Sequence, residues 1–116
     1  MKIEYTSEWF EDNADSIGDW FDPETFEWSR YSVALAVHCS KYIKIWFDPD
    51  KYNWRLSSDY LAMYCSSDFE FWFNPDNYNF NYRNELFNCC LEYIYIWYDS
   101  SKFKESYDEL LLLSIK

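Results

Sequence analysis

The side chains that most often carry catalysis or bind metals are scarce in this sequence. The 116 residues include one histidine, His38, and four cysteines. His38 and Cys39 are adjacent, and adjacent residues of a helix point in different directions, so they cannot act as a catalytic pair. One histidine excludes two-histidine metal sites, no CxxC pair is present, and the single glycine excludes glycine-rich phosphate loops. We therefore expect a non-enzymatic protein with no catalytic residue, metal or cofactor.

Acidic side chains, by contrast, are abundant and concentrated near the N-terminus. The net charge is −11, and residues 1–28 hold nine acidic residues against one lysine, a net charge of −8. Phosphate binding needs positive charge, so direct nucleic-acid binding is excluded and a basic protein is the expected partner. The candidate acidic face consists of Glu8, Glu11, Asp12, Asp15, Asp19, Asp22, Glu24 and Glu27.

Several of these carboxylates recur at helical spacing. Residues 6–17 form an amphipathic pattern, whose apolar stripe is Trp9, Phe10, Asn13, Ala14 and Ile17. Carboxylates three or four residues apart on a helix lie about 5–6 Å apart, which is comparable with the phosphate spacing of a nucleic-acid strand. The acidic face therefore predicts a nucleic-acid mimic. The alternative is a polar unit that caps the end of a repeat array.

A motif of about 26 residues recurs along the chain. The tetrapeptide WFDP starts at residues 20 and 46, and it returns as WFNP at 72 and as WYDS at 97. Eleven residues before the last three tryptophans stands a leucine, with a cysteine four residues after it. This pattern predicts a single domain over 1–116, with a capping helix at about 6–17 and units at about 17–42, 43–68, 69–93 and 94–116.

Each unit is expected to form a strand, a turn and a helix. Apolar residues alternate over 43–47, 69–73 and 94–98, which is typical of a strand, and Asx-Pro indicates a turn. Segments 84–92 and 107–115 have helical spacing. Repeated strand–helix units predict an α/β fold, a short solenoid with a parallel sheet. This architecture is similar to that of leucine-rich-repeat proteins, although the LxxLxLxxN pattern is absent. A compact α/β sandwich is the alternative.

On such a sheet the tryptophans of the motif would share one face. They predict a second, aromatic binding face, made of Trp20, Trp46, Trp72, Tyr95 and Trp97. The alternative is a second layer of core. The Asp or Asn two residues after each of these tryptophans either caps an Asx turn or binds a cation. Asn74 favours the turn, because an amide has the accepting oxygen but lacks the charge that a cation needs. Cys39, Cys65 and Cys90 are expected in the core and Cys89 partly exposed.

Together these features predict an inhibitor. We expect an acidic decoy that blocks the nucleic-acid-binding groove of a basic target, such as a CRISPR effector or another host-defence nuclease, in the manner of phage and mobile-element anti-defence proteins. No apolar run is long enough to cross a membrane and no signal peptide is evident, so we expect a cytoplasmic protein. The alternatives are an immunity protein against a nuclease toxin and a peptide- or sugar-binding repeat module. A homodimer stays open.

Overall fold

The computed structural model describes residues 5–114, and this part of the chain is helical, without a β-strand. The α-helices are α1 (Ser7–Asn13), α2 (Ile17–Trp20), α3 (Trp28–His38), α4 (Ile43–Trp46), α5 (Trp54–Tyr64), α6 (Phe69–Trp72), α7 (Arg83–Cys89), α8 (Ile94–Trp97) and α9 (Tyr107–Ser114). Short 3-10 helices lie at Ala14–Ser16, Ser40–Tyr42, Ser66–Asp68, Phe80–Tyr82 and Leu91–Tyr93.

The expected α/β fold with a parallel sheet is therefore wrong. The three segments predicted as strands are the short helices α4, α6 and α8. In α4, Ile43 and Trp46 are each 1% exposed whereas Ile45 is 55% exposed. A strand would place Ile43 and Ile45 on one side and Trp46 on the other, so the burial follows a helical period. Ile43 and Trp46 continue the buried stripe formed by Leu35 and Cys39.

Each tryptophan of the inner units holds the bend between a long helix and the short helix after it. At the end of α3, Cys39 leaves helical geometry, with φ −120° and ψ 22°. Its carbonyl oxygen accepts the indole Nε1–H of Trp46 at 2.7 Å and the backbone N–H of Tyr42 at 2.9 Å. A buried indole N–H needs such an acceptor. The same indole bond recurs at 2.7 Å in the pairs Trp72–Cys65 and Trp97–Cys90.

The prediction of Asx turns after the tryptophans is confirmed. Oδ1 of Asp48 accepts the backbone N–H of Asp50 at 2.9 Å, and Oδ1 of Asn74 accepts that of Asp76 at 2.9 Å. The equivalent bonds join Asp22 to Glu24 at 3.0 Å and Asp99 to Ser101 at 2.9 Å. An amide and a carboxylate serve equally here because the turn requires only an accepting oxygen.

The helices stack side by side along one direction. α1 packs on α3, α3 on α5, and α5 on α7, and the molecule measures 53 × 25 × 20 Å. The predicted amphipathic helix at 6–17 is confirmed as α1, a 3-10 turn and the start of α2, and its Phe10 and Ile17 are 1% exposed. The predicted closing helix is α9, and residue 115 of that prediction lies outside the described residues.

Buried polar groups link one unit to the next. The predicted burial of Cys39, Cys65 and Cys90 is confirmed, and Cys89, which was expected to be partly exposed, is exposed. The thiol of Cys65 donates to the carbonyl oxygen of Ala36 at 3.8 Å, and burial raises the pKa of Cys65 to about 12. The hydroxyl of Ser58 donates to the carbonyl of Trp54 and accepts the backbone N–H of Asn79 at 3.1 Å.

A tyrosine hydroxyl accompanies a break in the long helix of the second unit. Within α5, Ser57 departs from helical geometry, with φ −130° and ψ 16°. The hydroxyl of Tyr52 donates to the carbonyl oxygen of Ser57 at 2.7 Å. Burial raises the pKa of Tyr52 well above its usual value, so this hydroxyl keeps its proton. In the first unit Phe26 takes the place of Tyr52, and α3 runs from Trp28 to His38 without a break.

Candidate partner-binding surfaces

The acidic side chains predicted as a binding face lie on successive elements at the N-terminal end of the stack. Glu8, Glu11 and Asp12 belong to α1, and Asp15 to the 3-10 turn that follows. Asp19 belongs to α2, and the turn before α3 carries the rest of the set. All are exposed except Glu27, which is half-buried. The exposed members are Glu8, Glu11, Asp12, Asp15, Asp19, Asp22 and Glu24.

Some of these carboxylates contact polar or charged side chains of neighbouring units. Glu11 Oε1 lies 3.5 Å from His38 Nδ1, and Glu24 Oε2 lies 3.3 Å from Lys51 Nζ. Asp15 accepts a hydrogen bond from the hydroxyl of Tyr42.

The carboxylates of Glu8, Asp12 and Asp19 contact no cation in the part of the chain that the structure describes. They therefore present uncompensated negative charge to solvent.

The helical line of carboxylates is interrupted between α1 and α2. Asn13 adopts φ −114° and ψ 4°, and Ser16 adopts φ −103° and ψ 18°, so both depart from helical geometry. Only the carboxylates within α1, such as Glu8 and Asp12, keep the spacing of about 5–6 Å that a continuous helix gives. Asp15 and Asp19 extend the acidic surface. Asp15 follows the bend at Asn13 and Asp19 follows the bend at Ser16, so neither keeps the regular helical spacing to the carboxylates of α1.

The predicted aromatic face of stacked tryptophans does not form. Trp46, Trp72 and Trp97 are each 1% exposed, because the short helices turn the indole rings into the core where a sheet would have exposed them. Trp20 is half-buried, and its indole N–H donates to the carbonyl oxygen of Asn13 at 2.8 Å. Of the five residues predicted for this face only Tyr95, at 65% exposure, lies on the surface.

A different row of apolar residues is exposed instead. Each residue that precedes a buried tryptophan points outward: Ile45 is 55%, Phe71 47% and Ile96 38% exposed. We call these three, together with Tyr95, the outer row. In the first unit the matching position is Asp19, which is also exposed. Asp19, a member of the acidic face, therefore occupies the position in the first unit that Ile45, Phe71 and Ile96 occupy in the later units.

His38 and Cys89, the side chains that the sequence offers for nucleophilic chemistry, have no contact in common among residues 5–114. His38 is largely buried, contacts Glu11 and stacks on Phe10 with ring centroids 6.4 Å apart. Cys89 is exposed. The pKa of its thiol is nevertheless raised above the usual value, mainly because the thiol is partly desolvated and to a smaller extent because of the negative charge of Glu85. Among residues 5–114, no group of three or more His, Cys, Asp or Glu side chains could hold a metal ion.

No helix in the described range has the length and apolarity needed to cross a membrane.

The outer row is the surface that sequence reasoning missed. The predicted strands place Ile45 and Phe71 on the side opposite the tryptophans, which is the side that packs against the predicted helices. The signal that finds them is the longer stripe Leu35–Cys39–Ile43–Trp46, whose spacings of four, four and three are helical and leave Ile45 outside.

Comparison with known proteins adds no further assignment. No protein-family model matches the chain, no curated protein resembles it, and no solved structure shares its fold at a significant level. The function must therefore be argued from these surfaces.

Proposed function

We propose that this protein is a non-enzymatic inhibitor that binds a basic, nucleic-acid-handling protein in the cytoplasm and occupies its nucleic-acid groove. The observation that carries the proposal is the cluster of seven exposed carboxylates on α1, α2 and the turns beside them, which we call the acidic end of the stack. We also propose that the recurring units act as a tandem-repeat scaffold that presents this end.

Charge at this end exceeds what a terminal unit needs for solubility. A capping unit requires a polar outer face, which neutral side chains also supply. Here Glu8, Asp12 and Asp19 remain without a cation among the described residues, and such a field speeds association with a basic partner. The peptide- or sugar-binding alternative relied on an exposed face of tryptophans, and the burial of Trp46 and Trp72 gives that alternative no support.

The test compares two variants with equal charge change in a pull-down from lysate. The first carries Glu8→Gln, Asp12→Asn, Asp15→Asn and Asp19→Asn, and the amide oxygen introduced by Asp15→Asn can still accept the hydrogen bond of Tyr42. The matched control neutralises four exposed acids elsewhere, through Asp50→Asn, Asp76→Asn, Glu105→Gln and Asp108→Asn. The bound proteins are eluted in rising salt and identified by mass spectrometry.

The wild type and the control are expected to retain a basic nucleic-acid-binding protein that salt or added DNA or RNA releases. The four-acid variant is expected to bind it at least about ten-fold more weakly, because each lost charge contact contributes up to about 1 kcal/mol. If both variants lose binding equally, net charge and not the N-terminal end is responsible. If neither loses it, or nucleic acid does not compete, the decoy proposal is refuted.

A further inference from the structure

The outer row is too small to be the whole interface of a stable dimer. From their exposed fractions, Ile45, Phe71, Tyr95 and Ile96 present roughly 400–500 Å² of surface, about half of the 800 Å² per partner that stable complexes bury. A patch of this size and shape, one residue wide and three units long, matches a single helix or strand of a partner better than a second globular surface.

The surroundings of the outer row are predominantly acidic. The short helices and the 3-10 helices that precede them carry the carboxylates Asp15, Asp19, Asp68, Glu70 and Glu92, against the two cations Lys41 and Lys44. A cleft of about 260 Å³ opens directly beside Phe71, and Asp68, Glu70 and the ring of Tyr93 line it together with Lys44 and Ser67. Carboxylates next to aromatic rings are suited to an arginine or lysine side chain, which pairs with the former and packs on the latter.

The distance between successive residues of the outer row indicates whether a helix or a strand of the partner fits it. The long helices α3, α5 and α7 pack in sequence, and packed helices lie about 8–10 Å apart. Each is followed by one residue of the series Ile45, Phe71 and Ile96, so we infer that this series repeats at about the same interval. An α-helix rises about 10.5 Å in seven residues and presents residues i, i+7 and i+14 on one side. An extended strand would cover the same interval in three residues, which alternate in direction. The row therefore matches the heptad spacing of a helix.

We propose that the outer row binds a basic amphipathic α-helix of the partner, with apolar residues at i, i+7 and i+14 on Ile45, Phe71 and Ile96 and an arginine or lysine in the cleft beside Phe71. This inference rests on the proposed function, since it names the element of the basic partner that docks next to the acidic end. The acidic end provides long-range attraction, and the outer row provides apolar contact.

The test uses a designed probe and the full-length chain. The probe is a fluorescein-labelled helical peptide of 18 residues with leucine at i, i+7 and i+14, an arginine beside the central leucine and lysines on the flanks. A matched peptide has glutamate in place of every lysine and arginine. Binding is measured by fluorescence anisotropy to the wild type and to Ile45→Ser/Phe71→Ser. The control is Leu56→Ser, because Leu56 on α5 is as exposed as Ile45, at 55%.

The basic peptide is expected to bind the wild type and the Leu56→Ser control equally. Binding to Ile45→Ser/Phe71→Ser should weaken at least about ten-fold, which corresponds to about 1.4 kcal/mol. Asp68→Asn/Glu70→Gln should also weaken it, and the glutamate peptide should bind none of the proteins. Circular dichroism confirms that each variant is folded.

Three results would overturn the inference. One is equal binding of the basic peptide to the wild type and to Ile45→Ser/Phe71→Ser. Another is equal binding of the basic and glutamate peptides, which would show unspecific apolar adhesion. The third is light-scattering evidence for a wild-type dimer that Ile45→Ser/Phe71→Ser abolishes, which would make the row a self-association surface. If instead the four-acid variant keeps its lysate partner while the peptide depends on Ile45 and Phe71, the proposed function fails and the docking row remains.

Discussion

The first two units of the stack have the same order of elements but differ at matched positions. Trp20 is half-buried where Trp46 is 1% exposed. Asp19 replaces the outward Ile45. Two further matched positions differ in residue type, with Phe26 against Tyr52 and Val33 against Asp59. The comparison shows that the bend held by the tryptophan also forms at the end of the stack, where the indole ring of Trp20 is partly exposed. It also shows that the one added hydroxyl, that of Tyr52, accompanies a break in the helix of its unit.

The largest difference between the units is expected at the tryptophans. Trp46→Ala should lower the free energy of unfolding by about 3–5 kcal/mol, since it leaves a cavity and removes the bond to the carbonyl of Cys39. Trp20→Ala should cost at most about half as much, because Trp20 is already partly exposed. Urea unfolding of both variants measures the difference. Equal losses would mean that the end unit is as tightly packed as the inner one.

The second contrast between the two units is the hydroxyl of Tyr52, which Phe26 lacks. Tyr52→Phe should cost about 1 kcal/mol, because the buried carbonyl of Ser57 loses a donor. Tyr78→Phe should cost a similar amount, since Tyr78 donates to the carbonyl of Tyr82 at 2.9 Å. The reverse change, Phe26→Tyr, should bring no gain, because α3 has no break near that position. Thermal unfolding of the three variants tests this, and a stabilised Phe26→Tyr variant would contradict it.

A smaller, pH-dependent effect is expected at Asp59, whose counterpart in the first unit is Val33. Oδ1 of Asp59 is buried without a hydrogen-bond partner among the described residues, and burial raises the pKa of this carboxyl above its usual value. The folded state therefore holds this proton at a pH where the unfolded chain has released it, so stability falls as pH rises through that window.

The corresponding substitution is Asp59→Val, which restores the residue of the first unit. It should raise the melting temperature at pH 7 and leave it nearly unchanged near pH 3, where the carboxyl is protonated in both states. Asp59→Asn serves as the isosteric control. A gain of equal size at both pH values would assign the effect to packing and not to the charge.

The smallest effect is expected in the Asx turns. Asp48→Asn should leave stability nearly unchanged, because Asn74 already performs the same role in the next unit. Asp48→Ala removes the accepting oxygen and should cost roughly 0.5–1 kcal/mol. Asp22→Ala in the first unit should cost no more than that. Chemical denaturation checks all three. A strong loss in Asp48→Asn would show that this carboxylate has a role beyond the turn.

The sequence predicted local features correctly and the class of the fold wrongly, for a definite reason. The Asx turns depend on residues two positions apart, and the burial of Cys65 and Cys90 depends on one apolar stripe, so short-range spacing suffices for both. Ile43, Ile45 and Phe47 alternate over five residues, and a segment this short satisfies both a strand and a helix. β-Branched and aromatic residues favoured the strand. The bond from Trp46 to the carbonyl of Cys39, seven residues back, favours the helix and cannot be read from alternation.

The same distinction, between features that depend on residue type and features that depend on the fold class, applies to the surfaces. Exposure of the acidic residues was predictable, because charged side chains remain in water whatever the fold. The positions of Trp46 and Ile45 were exchanged in the prediction, because a strand and a helix assign neighbouring residues to opposite sides. One error of period therefore exchanged each tryptophan with the residue before it, between core and surface, in all three short helices.

The hydrogen bonds between units join residues only 21 to 29 positions apart in sequence. A chain held together over such short distances closes only small loops during folding, which favours rapid folding that can start at any unit. It also allows growth by gene duplication. A second copy of residues 43–68 would insert one more layer, lengthen the stack by about 10 Å and leave both ends unchanged. The number of units would thus set the length of the outer row.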